Sequence, residues 1–218
     1  MLVSDNTLTL GHMSLDKLKL SKALHSSMTA LGHSTATEIQ LKTLSRIVGG
    51  QSFIAIAPEG SGKTTAYVLG TLMRLKESLD EAPKFLVLTP NEEKGAEIVE
   101  KFLAISQNRD LHVLMLSKSR SMEEEVDGLY RGTDIVVATP KRAREVYLKL
   151  GLNLNRIQTF IIDDAEEIIR LGMQTPVKEL ARSCGKVQYL AFSTEEDKKL
   201  HFLVDDFMPF APLVLTDS

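Results

Sequence analysis

The residues with the most chemical content lie in Phe53-Ile-Ala-Ile-Ala-Pro-Glu-Gly-Ser-Gly-Lys-Thr-Thr65. A short apolar run meets a glycine-rich turn, then a lysine and a threonine, then a segment of helical spacing, which is the order a phosphate-binding loop needs. Gly60 and Gly62 let the backbone curl so that successive N–H groups face one point. The helix that follows adds its free N–H groups and the positive end of its dipole. Lys63 can neutralise outer phosphates, and the Thr64 hydroxyl can ligate Mg²⁺. The bland alternative is an ordinary strand–turn–helix that carries a lysine by chance. A phosphate site of this kind needs an acidic partner for the metal on a neighbouring strand. Gln158-Thr-Phe-Ile-Ile-Asp-Asp-Ala-Glu-Glu167 supplies one, an apolar strand that runs directly into carboxylates. Asp163 would hold Mg²⁺ through water, and Asp164 would orient or activate an attacking water. The competing reading is a helix start made acidic because the helix dipole favours it.

These residues must be positioned by alternating strands and helices. Apolar runs at 53–57, 84–89, 112–116, 134–138, 159–163 and 188–193 are nearly continuous, as strands covered on both faces are. Helix candidates lie between them at 64–78, 92–106, 121–130, 141–150 and 175–183. Repeated strand–helix–strand order predicts an α/β domain with a parallel twisted sheet and helices on both faces. Ligands of such sheets bind at the carboxyl ends of the strands, where the loop and the acids fall. Ahead of the first strand, 14–31 and 37–48 read as two helices joined by a turn at 32–37. Residues 1–13 read as a loose N-terminal arm and 14–218 as one domain. The end, 207–218, reads equally as an exit strand of the same sheet or the start of a linker.

Composition narrows the class. The chain has 218 residues, 43% of them hydrophobic, enough for a sizeable core. The net charge of −3 gives no global signal for nucleic acid, so any such contact must come from a local patch. Cys184 is the single cysteine, which excludes an intrachain disulfide and a cysteine zinc cluster, and it is expected to be a reduced core residue. No apolar run approaches the roughly 20 residues needed to span a bilayer. The start, Met1-Leu-Val-Ser-Asp-Asn, lacks the features of a signal peptide, so a cytoplasmic, or at least intracellular, location is the default expectation.

The order and spacing of the motifs resemble the first RecA-like lobe of the DEAD-box RNA helicases, and the resemblance runs over most of the chain. The family's A-x-x-G-S-G-K-T is matched by Ala57-Pro-Glu-Gly-Ser-Gly-Lys-Thr64, and D-E-A-D by Asp163-Asp-Ala-Glu166. The adenine-reading P-T-P-I-Q is matched by Ala36-Thr-Glu-Ile-Gln40, after Gly32-His33. Pro90-Asn-Glu-Glu-Lys-Gly95 stands at P-T-R-E-L-A, Thr139-Pro-Lys-Arg142 at T-P-G-R, and Ser193-Thr-Glu195 near S-A-T. Any one match is weak; the ordered set is specific.

The resemblance implies a RecA-like P-loop NTPase domain that uses ATP and Mg²⁺ and binds single-stranded or short duplex RNA. It implies an ATP site of Gln40, Ala57, Gly60, Ser61, Gly62, Lys63, Thr64 and Thr65, with Lys63, Asp163 and Asp164 catalytic and Thr64 and Asp163 at the metal. Gln40 would hydrogen-bond the adenine edge, since an amide donates and accepts at once; a helix-surface glutamine is the alternative. His33 would stack near the base or simply sit in a solvated turn. RNA would contact Pro90, Asn91, Thr139, Pro140 and Arg142, with Lys141 and Arg144 adding charge, or these are a solvated basic helix start. Glu166, Ser193 and Thr194 would couple ATP to RNA.

The departures matter as much as the matches. Asp164 replaces the family glutamate and retracts the carboxylate, so slow hydrolysis is expected. Glu166 replaces the final aspartate and S-A-T is altered, which is expected to weaken coupling. Glu92 stands where the family has an RNA-facing arginine, and Glu59 adds negative charge to the phosphate loop. Lys118 and Arg120 lie where the family has a Gly-Gly pair that approaches RNA. The family completes its site with a second RecA-like lobe, in cis or in trans, and none is expected within these 218 residues. The leading expectation is thus the ATP-binding lobe of an ATP-dependent RNA helicase that needs that second lobe for hydrolysis and unwinding. The alternatives are a catalytically weakened pseudo-helicase acting as a binding module, and a P-loop ATPase with no nucleic-acid role.

Overall fold

Successive side chains of a strand point to opposite faces, so a run that is apolar at every position needs cover on both sides. The computed structural model describes residues 13–75, 82–107, 110–149 and 151–216 and shows such cover. Strands β1 (Met13–Ser14) and β2 (Thr35–Ala36) form a small antiparallel ribbon. Strands β3 (Phe53–Ile56), β4 (Phe85–Leu88), β5 (Val113–Leu116), β6 (Ile135–Ala138), β7 (Thr159–Ile162), β8 (Gln188–Ser193) and β9 (Leu213–Leu215) form one sheet. Its order is β5-β6-β4-β7-β8-β3-β9, and every pairing is parallel. Phe53, Ala55, Phe85, Val87, Ile135 and Val137 enter one core. Their neighbours Ile54, Ile56, Leu86, Leu88, Val136 and Ala138 enter the other.

Helices α1 (Lys22–Ala30), α2 (Glu38–Val48), α3 (Lys63–Arg74) and α4 (Glu92–Ser106) cover the first face. Helices α5 (Met122–Tyr130), α6 (Pro140–Leu148), α7 (Ala165–Arg170), α8 (Gln174–Ser183) and α9 (Lys198–Val204) cover the second. Several starts are fixed by side-chain caps that accept from orphan N–H groups: Asn91 from Lys94 at 2.9 Å, Thr139 from Arg142 at 3.3 Å, and Asp197 from Leu200 at 2.8 Å.

The structure follows the sequence expectation in class and order and differs at several ends. The helix expected over 14–31 is two pieces, a 3-10 turn at Leu15–Leu18 and then α1. Lys19 adopts φ 51°, which stops the turn, and the Ser21 hydroxyl starts α1 by accepting from Leu24 N–H at 3.3 Å. The helix expected over 64–78 starts one residue earlier and ends at Arg74; residues 76–78 of that expectation lie outside the described residues, as does residue 150 of the helix expected to end there. The expected arm falls on residues 1–12, also outside the described residues, and on Met13, which pairs with Ala36. Helices α7 and α9 are additions to the expected set. The tail contributes β9, paired along β3. Cys184 is half-buried, its thiol pushed up to about 12 by burial. Among the described residues, no helix is long and apolar enough to cross a membrane.

Helices α2 and α3 approach closely because α3 has no side chain at the contact. A Cβ built on Gly70 would lie 2.4 Å from Ile47 Cγ2 on α2 and 2.8 Å from its Cβ. Gly70→Ala is therefore expected to destabilise the protein by about 1–3 kcal/mol through overpacking. A thermal or urea unfolding curve checks this; a gain in stability, as an exposed helical Gly→Ala would give, would show that the helices part freely.

Candidate functional site

The phosphate loop folds as the glycines predict. Gly60 and Gly62 have φ 75° and 93°, and Gly62 is the residue from which α3 starts. A Cβ on Gly62 would lie 2.6 Å from Gln40 Nε2, so this position needs glycine for its backbone and for its neighbour. Lys63, 7% exposed, folds back on its own loop and donates from Nζ to the carbonyl oxygens of Ala57 at 2.8 Å and Pro58 at 3.0 Å. The ammonium thus supports the loop's curvature while remaining beside the point its N–H groups face.

Beyond the end of β7 lies the acidic turn. Asp163 is 3% exposed. Its Oδ2 accepts from the hydroxyl of Tyr67, a fully buried residue of α3, at 3.0 Å, and its Oδ1 has no partner among the described residues. Burial, then the neighbouring Asp164 charge, pushes its carboxyl up to about 7 against the Tyr67 hydrogen bond and the Lys63 charge. Burial and the Asp163 charge also raise the Tyr67 phenol well above its ordinary value. Asp164 has φ 46° and ψ 55° and is the residue from which α7 starts. Asp enters that left-handed region more readily than Glu, because its short side chain bonds locally. Its carboxyl is raised by burial and by Glu166. The longer side chain of Glu166 reaches β8's exit, where Oε1 accepts from the Thr194 hydroxyl at 2.7 Å. Ser193 turns away and donates to Glu195 O at 2.7 Å.

A cleft of about 830 Å³ connects these parts. At one end it is lined by His33, Thr35 and Gln40, then by Gly60 and Gly62–Thr65, and then by Asp163, Asp164, Glu166 and Thr194. Gln40 is 4% exposed and accepts from Thr37 N–H at 3.1 Å through Oε1, which leaves a second lone pair and two amide hydrogens. Pro90, Asn91 and the Lys94 face of α4 form another wall. Ser61 Oγ, Asp163 Oδ1 and Glu166 Oε2, in or beside the cleft, are buried and have no partner among the described residues. No group of three or more His, Cys, Asp or Glu among the described residues is arranged to hold a metal alone. One hydroxyl, one carboxylate with a free oxygen and a phosphate loop do suit Mg²⁺, which keeps its waters and borrows substrate phosphates.

The charged groups of the edge beside the cleft are tied to one another and to loop N–H groups. Glu92 accepts from the Ser117 hydroxyl at 2.6 Å and from Lys118 N–H at 2.9 Å, and these bonds hold its carboxyl below its ordinary range. Glu125, fully buried, accepts from Ser117 N–H at 2.5 Å and lies 2.9 Å from Arg142 Nη2. Arg142 also bonds Glu145 at 3.0 Å and the Arg120 carbonyl at 3.3 Å, so its guanidinium is spoken for by α5, α6 and the loop between β5 and α5. Arg144 pairs with Glu179 of α8. Thr139 and Pro140 start α6 at the end of β6, apart from the residues that line the cleft.

Of the expected ATP residues, Gln40, Gly60 and Gly62–Thr65 meet Asp163 and Asp164 along the cleft; of the expected RNA residues, Pro90 and Asn91 wall that cleft, and Thr139, Pro140 and Arg142 lie along the adjoining edge. Sequence reasoning did not find Tyr67, Glu125 or the Glu92 tether. A tyrosine in an otherwise aliphatic helix face was the one available signal, since a buried phenol needs a partner.

A model of the DEAD/DEAH box helicase family matches residues 37–195. RNA helicase CrhR of Synechocystis is 29% identical over 96% of this chain and 42% of its own length. ATP-dependent RNA helicase DBP10 of Ajellomyces capsulatus is 29% identical over 84% of this chain and 21% of its own. The chain thus spans less than half the length of either relative. A crystal structure of a DEAD box protein from Methanococcus jannaschii superposes with a TM-score of 0.87 at 23% identity, over 94% of this chain and 56% of that one.

Two outcomes are expected. The native state binds the Asp163 proton more tightly than the unfolded chain does. Its stabilising effect is therefore full below the ordinary value of 3.8 and is lost as pH rises through about 7. In metal-free buffer the thermal midpoint of Asp163→Asn, relative to the parent, should climb between about pH 4 and about pH 7 and then level; a flat difference would show an unperturbed carboxyl. Glu125→Ala strands the buried Arg142 charge and should cost about 3 kcal/mol in urea unfolding. A loss below about 1 kcal/mol, the range of exposed pairs, would mean that the pair is solvated.

Proposed function

The chain belongs to the DEAD/DEAH box helicase family, and on that premise we propose that it is the ATP-binding lobe of an ATP-dependent RNA helicase. The observation that carries this reading is the single cleft lined by Gln40, the phosphate loop and the Asp163–Asp164 turn. Gln40 reads the adenine edge with its remaining lone pair and amide hydrogens. Loop N–H groups and the start of α3 hold the phosphates, with Ala57, Gly60, Ser61, Gly62 and Thr65 shaping the loop and Lys63 exchanging its two carbonyl partners for phosphate oxygens. Thr64 and Asp163 would hold Mg²⁺, which would neutralise phosphate charge. Asp164 orients the attacking water.

RNA backbone binds along the edge made by Pro90, Asn91, Thr139 and Pro140, at the start of α6. Arg142 contributes by fixing that helix start through Glu125 and Glu145. Glu166 and Thr194 couple the acidic turn to the end of β8, and Ser193 fixes the chain beyond that strand through Glu195. A second RecA-like lobe, in cis or in trans, supplies the arginines of the transition state, a contribution on the order of 10³-fold or more in rate. The protein works inside the cell, in the cytoplasm.

A second reading is favoured by the adjoining edge: with Glu92, Glu125 and Arg142 bonded to one another's loops, the chain would serve as a weakened pseudo-helicase that binds nucleotide or a partner without turnover.

Equilibrium ATP and ADP binding, followed by RNA-stimulated ATPase, separates the two. ATP binding that falls at least about tenfold in Lys63→Ala supports the nucleotide site. Turnover that rises in Asp164→Glu identifies a weakened enzyme. No ATP binding by the parent sinks the helicase reading, and ATP binding with no RNA-stimulated turnover in any variant, second lobe present, favours the binding module.

A further inference from the structure

Lys94 has no role so far, and its position is specific. It lies in the first turn of α4, and residues 94, 97, 98 and 101, at helical spacing, turn one face of that helix into the cleft. The carboxylates that act on its ammonium come from three elements. Against the opposing effect of partial burial, Glu97 of α4, Asp164 of the acidic turn and Glu59 of the phosphate loop all hold Lys94 protonated. Lys94 lines the cleft together with Glu59 of the loop and Asp164 of the acidic turn.

The other cations of the cleft are engaged or distant. Lys63 is bonded to Ala57 and Pro58, and Arg170 is paired with Glu167 at 2.8 Å. Lys101 is two turns further along α4, roughly 10 Å away. Lys94 has only a loose pair, 3.5 Å to Glu97, with side chains 42% and 59% exposed. Such pairs are weak and exchange readily. A nucleoside triphosphate brings more negative charge to the cleft than a diphosphate does, into a wall that already carries Glu59 and Asp164.

We propose that Lys94 is a second phosphate-binding cation, supplied in cis from α4, that contacts the terminal phosphate and makes the cleft prefer a nucleoside triphosphate over a diphosphate. The inference rests on the nucleotide-binding reading of the cleft.

The test uses the full chain with Mg²⁺ and fluorescent methylanthraniloyl ATP and ADP. Lys94→Met should weaken ATP about five- to tenfold and leave ADP within about twofold. Lys94→Arg should keep most of the preference, because the charge remains. Lys63→Ala should weaken both nucleotides. Equal affinity changes for ATP and ADP in Lys94→Met, or no change in either, overturn the role of Lys94 alone. A parent protein that binds neither nucleotide overturns the cleft reading and this inference together.

Discussion

Asp163 is almost wholly removed from water, and the Tyr67 hydroxyl supplies the direct hydrogen bond to its carboxyl. Burying a carboxylate without partners is costly enough that the group usually takes a proton instead. One oxygen is satisfied by a phenol from α3, and the other has no partner among the described residues. The arrangement links the helix that begins with Lys63 to the turn after β7 that holds Asp163, because the same helix supplies both the lysine and the tyrosine. Around this bond the remaining acids are arranged by distance from solvent, with Asp164 partly covered and Glu166 reaching across to Thr194.

Along the carboxyl edge of the sheet, two regions treat polar groups in opposite ways. The cleft keeps Ser61, Asp163 and Glu166 atoms without partners among the described residues. The adjoining edge, from Glu92 through Ser117 to Glu125 and Arg142, bonds carboxylates to loop N–H groups and to the guanidinium. Buried unpaired polar atoms are tolerated where a ligand can answer them. Hydrogen-bonded networks hold geometry. Glu92, which on charge alone would repel a phosphate, is in this fold a tether for the loop at 117–118.

Much of this was legible in the residues. Every-position apolarity in Phe85–Leu88 and Ile135–Ala138 required a doubly covered parallel sheet, and two cores provide it. The glycines before Lys63 required a curled loop, and the acids after Ile162 fell at the same edge. What escaped depended on tertiary contact. Lys19 breaks a helix by backbone conformation rather than by residue type. Two of the partners of Arg142, Glu125 on α5 17 residues away and the Arg120 carbonyl in a loop, lie where no local pattern announces them. The Glu166–Thr194 bond joins residues 28 apart in the chain, a pairing that only the fold reveals.

Gly70 gives the site a property of its own. Because α3 lies bare against Ile47, the helix that carries Gln40 and the helix that carries Lys63 touch backbone to side chain with no rotamer between them. A side chain at residue 70 would wedge the two helices apart, so a single missing Cβ sets how near the helix with Gln40 lies to the helix with Lys63.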